Sequence, residues 1–393
     1  MGIDMKQKRP WLRFLGGTLV LENWGGEERV PHEVFEWQNG KWRCTAHQYR
    51  LLGGWLKEVG VNDGVGGWRN LDLVCDDGRT PHDYQREGLA AWHENGRWGS
   101  IVLPTGAGKT FVALRAIEKV GASTLVVVPT IDLLHQWYAR LTNAFGTEIG
   151  VWYGGEKELR GITVTTYPSA WAHGEMLGNQ FKFLLCDEIH HLPAPNWHEI
   201  GLMCAAPMRL GLTATYPETA EVIWGAGMGV DRDRAKLLDE LIGPVVYEKK
   251  IDELTGKQLA DYRTERMRID LNSEERDEYD TAYGVYTGYM HEAKLRQRYG
   301  GGWWQEMTRR SAYDQGARRA KVAERRLKEI VHQAAGKVGV VAELLAAHWG
   351  ERVLIFTAHN RFAYLLGRRY LLPVITHQTK AAERKEILEK FRG

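Results

Sequence analysis

The stretch Leu103-Pro104-Thr105-Gly106-Ala107-Gly108-Lys109-Thr110 constrains this chain more than any other. It follows the short apolar run Ile101-Val102-Leu103 and precedes Phe111-Val112-Ala113-Leu114-Arg115-Ala116-Ile117, whose apolar spacing predicts an amphipathic helix. A buried strand, a glycine turn and a helix start, in that order, make a cradle for phosphate. The first N–H groups of a helix have no intrahelical acceptor and carry the positive end of its dipole. Gly106 and Gly108 let the backbone approach an anion closely, with Thr105 and Ala107 completing the loop. Lys109 supplies a point charge for the β- and γ-phosphates of a nucleotide, and the Thr110 hydroxyl is an oxygen donor for Mg²⁺. The strict pattern has glycine where Leu103 stands, but the G-x-G-K-T core is intact.

Phe183-Leu184-Leu185-Cys186-Asp187-Glu188 is the second half of a nucleotide site. An apolar strand that ends in two carboxylates sets them at the C-terminal edge of a sheet, where ligands bind in open α/β folds. Asp187 can hold Mg²⁺, directly or through water, and Glu188 can orient an attacking water. Alone, such a run is common. Lying 78 residues after Lys109 (187 minus 109), inside a region of alternating strands and helices, it becomes specific. The adjacent His190 and His191 have neither H-x-x-H spacing nor a cysteine partner, so zinc is not indicated.

A chain of 393 residues is too long for one ordinary domain, and two or three are expected. Residues 1–75 read as a small separate α+β module. Asn39-Gly40 between Phe35-Glu36-Trp37-Gln38 and Lys41-Trp42-Arg43-Cys44 is a hairpin signal, and a helix is predicted from His47 to Val59. Residues 76–248 alternate strand and helix, the mark of a parallel sheet with crossover helices. Residues 249–272 read as a linker with a strand at Arg266-Met267-Arg268-Ile269; residues 273–336 are helical and charged, broken at Gly300-Gly301-Gly302. Residues 337–393 predict helices around strands at Val353-Leu354-Ile355-Phe356 and Pro373-Val374-Ile375.

Four scattered cysteines suggest neither a disulfide framework nor a metal site. No apolar run approaches the ~20 residues of a membrane span, and the start lacks the apolar core of a signal peptide, so no membrane partner and a cytoplasmic, nucleoid-associated location are expected. The net charge of +2 makes no case for a polyanionic partner, but its distribution does. Residues 294–337 hold twelve Lys or Arg against four Asp or Glu, a local excess of +8. Arg309, Arg310, Arg318, Arg319, Arg325 and Arg326, with Tyr299, Trp303 and Trp304 interleaved, suit a surface that grips nucleic-acid phosphates, with the aromatics stacking on an unpaired base. A solvated helix face, with the tryptophans as packing residues, is the competing reading.

The motifs together resemble superfamily-2 helicases, which tolerate the Leu103 departure. Asp187-Glu188-Ile189-His190 is similar to their DEAD/DEAH box, and Asp83-Tyr84-Gln85 to their adenine-reading motif, which gives Gln85 the adenine. Val128-Pro129-Thr130 and Thr165-Thr166-Tyr167 resemble strand-end motifs in which Pro129, Thr130 and Thr166 touch a nucleic-acid backbone. Thr213-Ala214-Thr215, with His190, resembles the motif that couples hydrolysis to domain movement. Within the superfamily the chain looks like the short archaeal and bacterial XPB-type DNA helicases. Val30-Pro31-His32 and Ala46-His47-Gln48-Tyr49-Arg50 resemble their damage-recognition module, and the charged helices occupy the place of their thumb.

The resemblance implies an α/β fold: a RecA-like parallel-sheet domain of the P-loop NTPase class, with an N-terminal module, a thumb insertion and the start of a second RecA-like domain. It implies ATP and Mg²⁺ as cofactors, DNA (double-stranded or forked) as partner and a structure-specific nuclease as a further one, with a place in DNA repair. Asp231-Arg232-Asp233 is the candidate for the family's Arg-Glu-Asp motif. Gly393 falls before the family's arginine-finger motif, so weak turnover is expected of the 393 residues. Two other readings stand beside the helicase: an ATP-responsive DNA-binding fragment without turnover, and the motor subunit of a restriction or defence system.

Overall fold

The computed structural model describes residues 9–25, 30–31, 33–217, 222–223, 232–256, 263–299 and 303–392. The glycine break at 300–302, His32, Asp231 and most of the 216–230 loop lie outside the described residues. The chain divides into two compact units, Met1–Tyr262 and Arg263–Gly393.

The first unit holds two sheets. Strands β1 (Trp11–Leu15), β2 (Thr18–Glu22), β3 (Glu36–Gln38), β4 (Lys41–Thr45) and β5 (Asn62–Gly64) form a five-stranded sheet in the order β3-β4-β2-β1-β5. Asn39 and Gly40 both take positive φ, 51° and 76°, which lets a two-residue turn follow the strand twist of the β3–β4 hairpin. Helix α1 (Tyr49–Val59) follows a 3₁₀ turn and ends on Gly60 in the left-handed conformation. Leu12, Leu19, Phe35, Leu52 and Leu56 fill this module's core, to which Ala205 of the larger sheet domain also contributes. The module is therefore docked within the unit. Trp68 Nε1 donates to the Asn179 carbonyl at 3.1 Å, and Asn179 Nδ2 donates to the Val65 carbonyl at 2.9 Å.

After α2 (Asp83–Glu94) the chain builds an eight-stranded sheet. Its strands are β6 (Trp98–Val102), β7 (Thr124–Val128), β8 (Ile149–Tyr153), β9 (Glu156–Glu158), β10 (Ile162–Thr166), β11 (Phe183–Asp187) and β12 (Met208–Thr213), completed by β15 (Val245–Glu248). Between the last two lies a short pair, β13 (Val222–Ile223) with β14 (Arg232–Asp233). The order is β15-β6-β12-β11-β7-β10-β8-β9, with every pairing parallel except the β8–β9 edge. Helices α3 (Lys109–Val120) and α4 (Ile131–Phe145) are crossovers, each ending on a left-handed glycine, Gly121 and Gly146. Shorter helices, α5 (Tyr167–Ala172), α6 (Gly174–Leu177), α7 (His198–Met203) and α8 (Arg234–Leu241), make the later connections. The central strands are buried along their whole length, as parallel strands covered on both faces must be. Asp187, Thr213, Thr166 and the loop after Val102 thereby come to the same C-terminal edge. This is the α/β arrangement of a RecA-like sheet.

Helix α9 (Ile251–Leu254) closes the first unit, with Leu254 in the core beneath the large sheet, so the expected 249–272 linker is divided between the two units. The second unit is helical: α10 (Ser273–Ala293), α11 (Leu295–Tyr299), α12 (Trp303–Arg310), α13 (Gln315–Gln333), α14 (Gly336–Ala347), α15 (Asn360–Tyr370) and α16 (Ala381–Arg392). Asn272 caps α10, its Oδ1 accepting the Glu275 N–H at 2.9 Å, while the Glu275 carboxylate accepts the Asn272 N–H at 3.1 Å. The strands expected at 266–269, 353–356 and 373–375 are not formed, and Phe356 is 91% exposed. A run of apolar β-formers becomes a buried strand only where neighbours accept its backbone bonds, and no described residue of this unit pairs with these segments.

The stretch Gln315–Ala347, which α13 and α14 share, contains a window apolar and long enough for a membrane span by length and composition alone, but the helix breaks at Ala334. Its first half is the arginine-bearing face of α13.

Candidate nucleotide and nucleic-acid site

The phosphate loop lies between β6 and α3. Gly106 and Gly108 take φ of 86° and 80°, a backbone conformation that favours glycine, and a Cβ at Gly108 would push the Gln85 amide aside. α3 starts without a side-chain cap, leaving its first N–H groups to a ligand. Lys109 lies inside the loop, Nζ donating to the Leu103 carbonyl at 3.1 Å. Burial pulls its pKa down, and the carboxylates of Glu188 and Asp187 push back up. Lysine and carboxylates, 78 residues apart in sequence, thus share one electrostatic neighbourhood.

β12 explains how. It separates β6 from β11, with Thr213 in register with Val102 and Leu212 with Asp187. Its end therefore sits between the phosphate loop and the acidic pair. Thr213 Oγ1 lies 3.0 Å from His190 Nδ1 and 3.5 Å from Glu188 Oε2, and His190 Nδ1 is 3.4 Å from the same carboxylate oxygen. Thr213 Oγ1 also donates to the Thr215 carbonyl at 2.8 Å, so the Thr213-Ala214-Thr215 turn is tied to the acidic motif. His191 turns instead toward Tyr167 and Trp197.

Asp187 is buried, and burial raises its pKa; the Trp137 indole and the Glu188 N–H hold it down. Trp137 Nε1 donates to Oδ2 at 2.8 Å, and the Glu188 N–H to Oδ1 at 3.1 Å. Trp137, 2% exposed on the inner face of α4, was not singled out by sequence. The available signal was weak: a buried indole N–H requires an acceptor, but spacing does not say which. Arg140, one turn further along α4, was likewise missed; its Nη1 donates to Thr110 Oγ1 at 2.7 Å.

These donors fit Mg²⁺. That ion takes hard oxygen ligands, keeps much of its water and needs only one or two protein groups beside phosphates. Thr110 and Asp187 are such a set, and among the described residues no group of three or more His, Cys, Asp or Glu side chains forms a self-sufficient cage.

Gln85 is placed beside the loop rather than standing apart from it. Its Nε2 donates to the Ala107 carbonyl at 3.0 Å and its Oε1 accepts the His82 N–H at 3.0 Å, while Tyr84 donates to the same Ala107 carbonyl at 2.9 Å. Each amide group keeps one further bonding site. A cleft of about 380 Å³ opens alongside, lined by Pro81, Gln85, Arg86, Phe111 and Arg115 among others. The Arg79 guanidinium lies 5.0 Å over the Phe111 ring.

The strand-end threonines also converge. Thr130, two residues past β7, and Thr166, the last residue of the adjacent β10, cap the helices after them, accepting the N–H groups of Leu133 and Ser169 at 3.2 and 3.4 Å.

The thumb candidates, all in the second unit, change meaning. α13 packs along α10, which the charge count from 294 to 337 left out. Over residues 273–336 twelve basic residues meet ten acidic ones, so the helices as a whole carry only +2. Arg326 pairs with Glu278 of α10 at 2.5 Å, Arg325 with Glu329 at 3.0 Å, and Arg309 and Arg310 both with Glu306 at 2.8 and 2.7 Å. Arg318 donates to the Ser311 and Ala312 carbonyls, and Arg319 lines the exposed α10–α13 groove. Trp303 and Trp304 pack on Leu295 and Met307, so the packing reading of these two holds.

The family described as "Type III restriction enzyme, res subunit" matches residues 79–218, the segment carrying the phosphate loop and the acidic motif. Over nearly its whole length the chain is similar to the DNA 3'-5' translocase XPB2 of Sulfurisphaera tokodaii, 38% identical over 384 residues, covering 97% of this chain and 83% of that protein. The chain belongs to the XPB family of helicases and translocases. A second XPB relative, the DNA 3'-5' helicase XPB of Mycobacterium tuberculosis, is 29% identical over 79% of this chain and 49% of its own length. The Schizosaccharomyces pombe XPB, named as the helicase/translocase subunit of general transcription and DNA repair factor IIH, is 29% identical over 55% of this chain and 27% of its own. The chain thus spans half or less of these two longer XPB proteins.

Proposed function

We propose that this XPB-family chain is an ATP-dependent DNA translocase or helicase whose nucleotide site is built from the phosphate loop 104–110 and Asp187-Glu188. The observation that carries the reading is the β6-β12-β11 order, which puts the loop, the coupling threonine and the acidic pair on consecutive strand ends. Lys109 and the N–H groups that open α3 hold the phosphates. Mg²⁺, when bound through Thr110 and Asp187, offsets phosphate charge. Trp137 keeps the Asp187 carboxylate in place. Glu188 accepts a hydrogen bond from the attacking water and aligns it. Thr213 and His190, both touching the Glu188 carboxylate, carry a change at that group to the 213–215 turn. The cleft beside Gln85 and Phe111 takes the base.

DNA is the polymer moved. The relatives' printed activities and the strand-end threonines on the same sheet edge support this. A role in repair, a preference for forked DNA and a structure-specific nuclease as partner follow from the family resemblance.

Lys109→Ala tests the assignment. It should weaken binding of a fluorescent ATP analogue at least tenfold and abolish DNA-stimulated hydrolysis, while circular dichroism shows an unchanged fold. Unchanged affinity in a folded variant would remove the phosphate-loop assignment. Tight nucleotide and DNA binding by the parent without any turnover would instead favour an ATP-responsive DNA-binding protein.

A further inference from the structure

Thr110 Oγ1 has two claimants. The phosphate-loop reading gives this oxygen to Mg²⁺, yet it accepts a 2.7 Å hydrogen bond from Arg140 Nη1. Arg140 is exposed, on α4, three residues beyond the buried Trp137 whose indole bonds Asp187 Oδ2 at 2.8 Å. One helix therefore supplies a donor to each of the two side chains assigned to the metal. The two donors differ in kind. An indole N–H is neutral and orients a carboxylate whose other lone pairs stay available. A guanidinium is a permanent cation, and a divalent ion on the second lone pair of the same hydroxyl would face that charge across a single atom.

We propose that Arg140 is a positioning residue that competes with Mg²⁺ for the Thr110 hydroxyl, so that metal entry requires the guanidinium to leave. The inference rests on the phosphate-loop reading and adds a regulating group to it. Arg140 holds the Thr110 side chain in place beside the loop and sets the Mg²⁺ concentration at which the nucleotide site becomes metal-loaded. Because the pair is exposed, the competition is graded: a surface charge interaction shifts an equilibrium by only a few-fold. Trp137 anchors the same helix from beneath and fixes where Arg140 starts.

The test is a titration of Mg²⁺ against binding of a fluorescent ATP analogue to the full chain, for the parent, Arg140→Ala and Arg140→Lys, with a parallel series in EDTA. Alanine suits an exposed helical position, and circular dichroism checks that the variants fold. Arg140→Ala should lower the half-saturating Mg²⁺ concentration about two- to fivefold. In EDTA it should bind the analogue no more tightly than the parent, since one positive charge near the phosphates has gone. Arg140→Lys, which keeps charge and donor, should return the Mg²⁺ midpoint toward the parent value. An unchanged or raised midpoint in Arg140→Ala, with the parent showing normal Mg²⁺ dependence, overturns the competition. A parent that fails to bind the analogue, or binds it without regard to Mg²⁺, overturns the underlying nucleotide-site reading instead.

Discussion

Glu188 has a backbone that a long side chain seldom adopts, with φ 48° and ψ 56°. Left-handed backbone at a non-glycine residue costs about 1–3 kcal/mol and persists where its surroundings hold it. Here Thr213 and His190 hold the carboxylate, and Asp187 Oδ1 accepts the Glu188 N–H. Glu188→Gln keeps the shape and the contact with Thr213 but replaces an anionic acceptor by an amide. It should retain binding of the ATP analogue within about threefold while lowering hydrolysis at least a hundredfold, the scale on which a positioned proton acceptor contributes. Parent-rate hydrolysis by the variant in a steady-state ATPase assay would take the water-aligning role away from Glu188. The acidic pair was legible in sequence because an apolar run ending in two carboxylates has one place to go in a parallel sheet. Trp137 and Arg140 were not, because their roles depend on which way α4 faces, and helical spacing alone does not tell one buried aromatic from another.

At the level of elements, β6 and β11 were readable as short apolar runs, the rest of the sheet only as an alternation of strand and helix over 76–248, and the hairpin at Asn39-Gly40 from its turn chemistry. The thumb was half-readable. Counting charge along the chain isolated α13, but helices neutralise each other across space, and α10 brings Glu278 against Arg326. Exposed ion pairs of this kind are worth about 0–1 kcal/mol and exchange readily for a phosphate. Replacing Arg318, Arg319, Arg325 and Arg326 with Ala should therefore flatten the log–log salt dependence of duplex binding by up to ~3–4, at ~0.9 for each phosphate no longer neutralised. Glu278→Gln, which removes the closer of the two carboxylates paired with Arg326 and leaves Glu329 at 3.7 Å, should tighten binding at low salt and steepen the slope by up to ~1. Binding titrations across salt concentration decide both. No change in slope in either variant would leave α13 as a solvated helix. The unformed strands at 353–356 and 373–375 teach the same point from the other side. Composition can nominate a strand, but only a neighbouring strand completes it.

For the first unit as a whole, the question is what keeps the N-terminal module on the sheet domain. Part of the answer lies around Trp98, whose ring receives Arg50 of α1 at 4.7 Å and the fully buried Arg209 of β12 at 4.9 Å. Arg209 is satisfied by the carbonyls of Ala206, Gly201, Leu241 and Cys204, which ties β12 to α7, to the end of α8 and to the 204–206 loop. Close by, His47 is buried, its Nδ1 2.9 Å from Thr45 Oγ1, and its Nε2 3.1 Å from Gln48 Nε2 and 3.6 Å from Glu240 Oε1 of α8. Burial, with the Arg209 charge second, lowers its pKa from the usual 6.5 to about 4. The neutral imidazole is therefore the form the folded unit prefers. Below pH 6.5 the unfolded chain takes up a proton that folded His47 refuses, so its contribution is full above pH 6.5 and falls as pH drops toward 4. The full loss amounts to about 3 kcal/mol for a shift of this size. His47→Gln keeps hydrogen-bonding capacity without the titration. The stability difference between parent and His47→Gln, taken from urea midpoints at matched pH, should move in the variant's favour by up to about that amount between about pH 7 and about pH 4.5. A difference that stays constant across this range would mean that burial does not shift His47, and one that moves in the parent's favour on acidification would mean that Glu240, not burial, governs it.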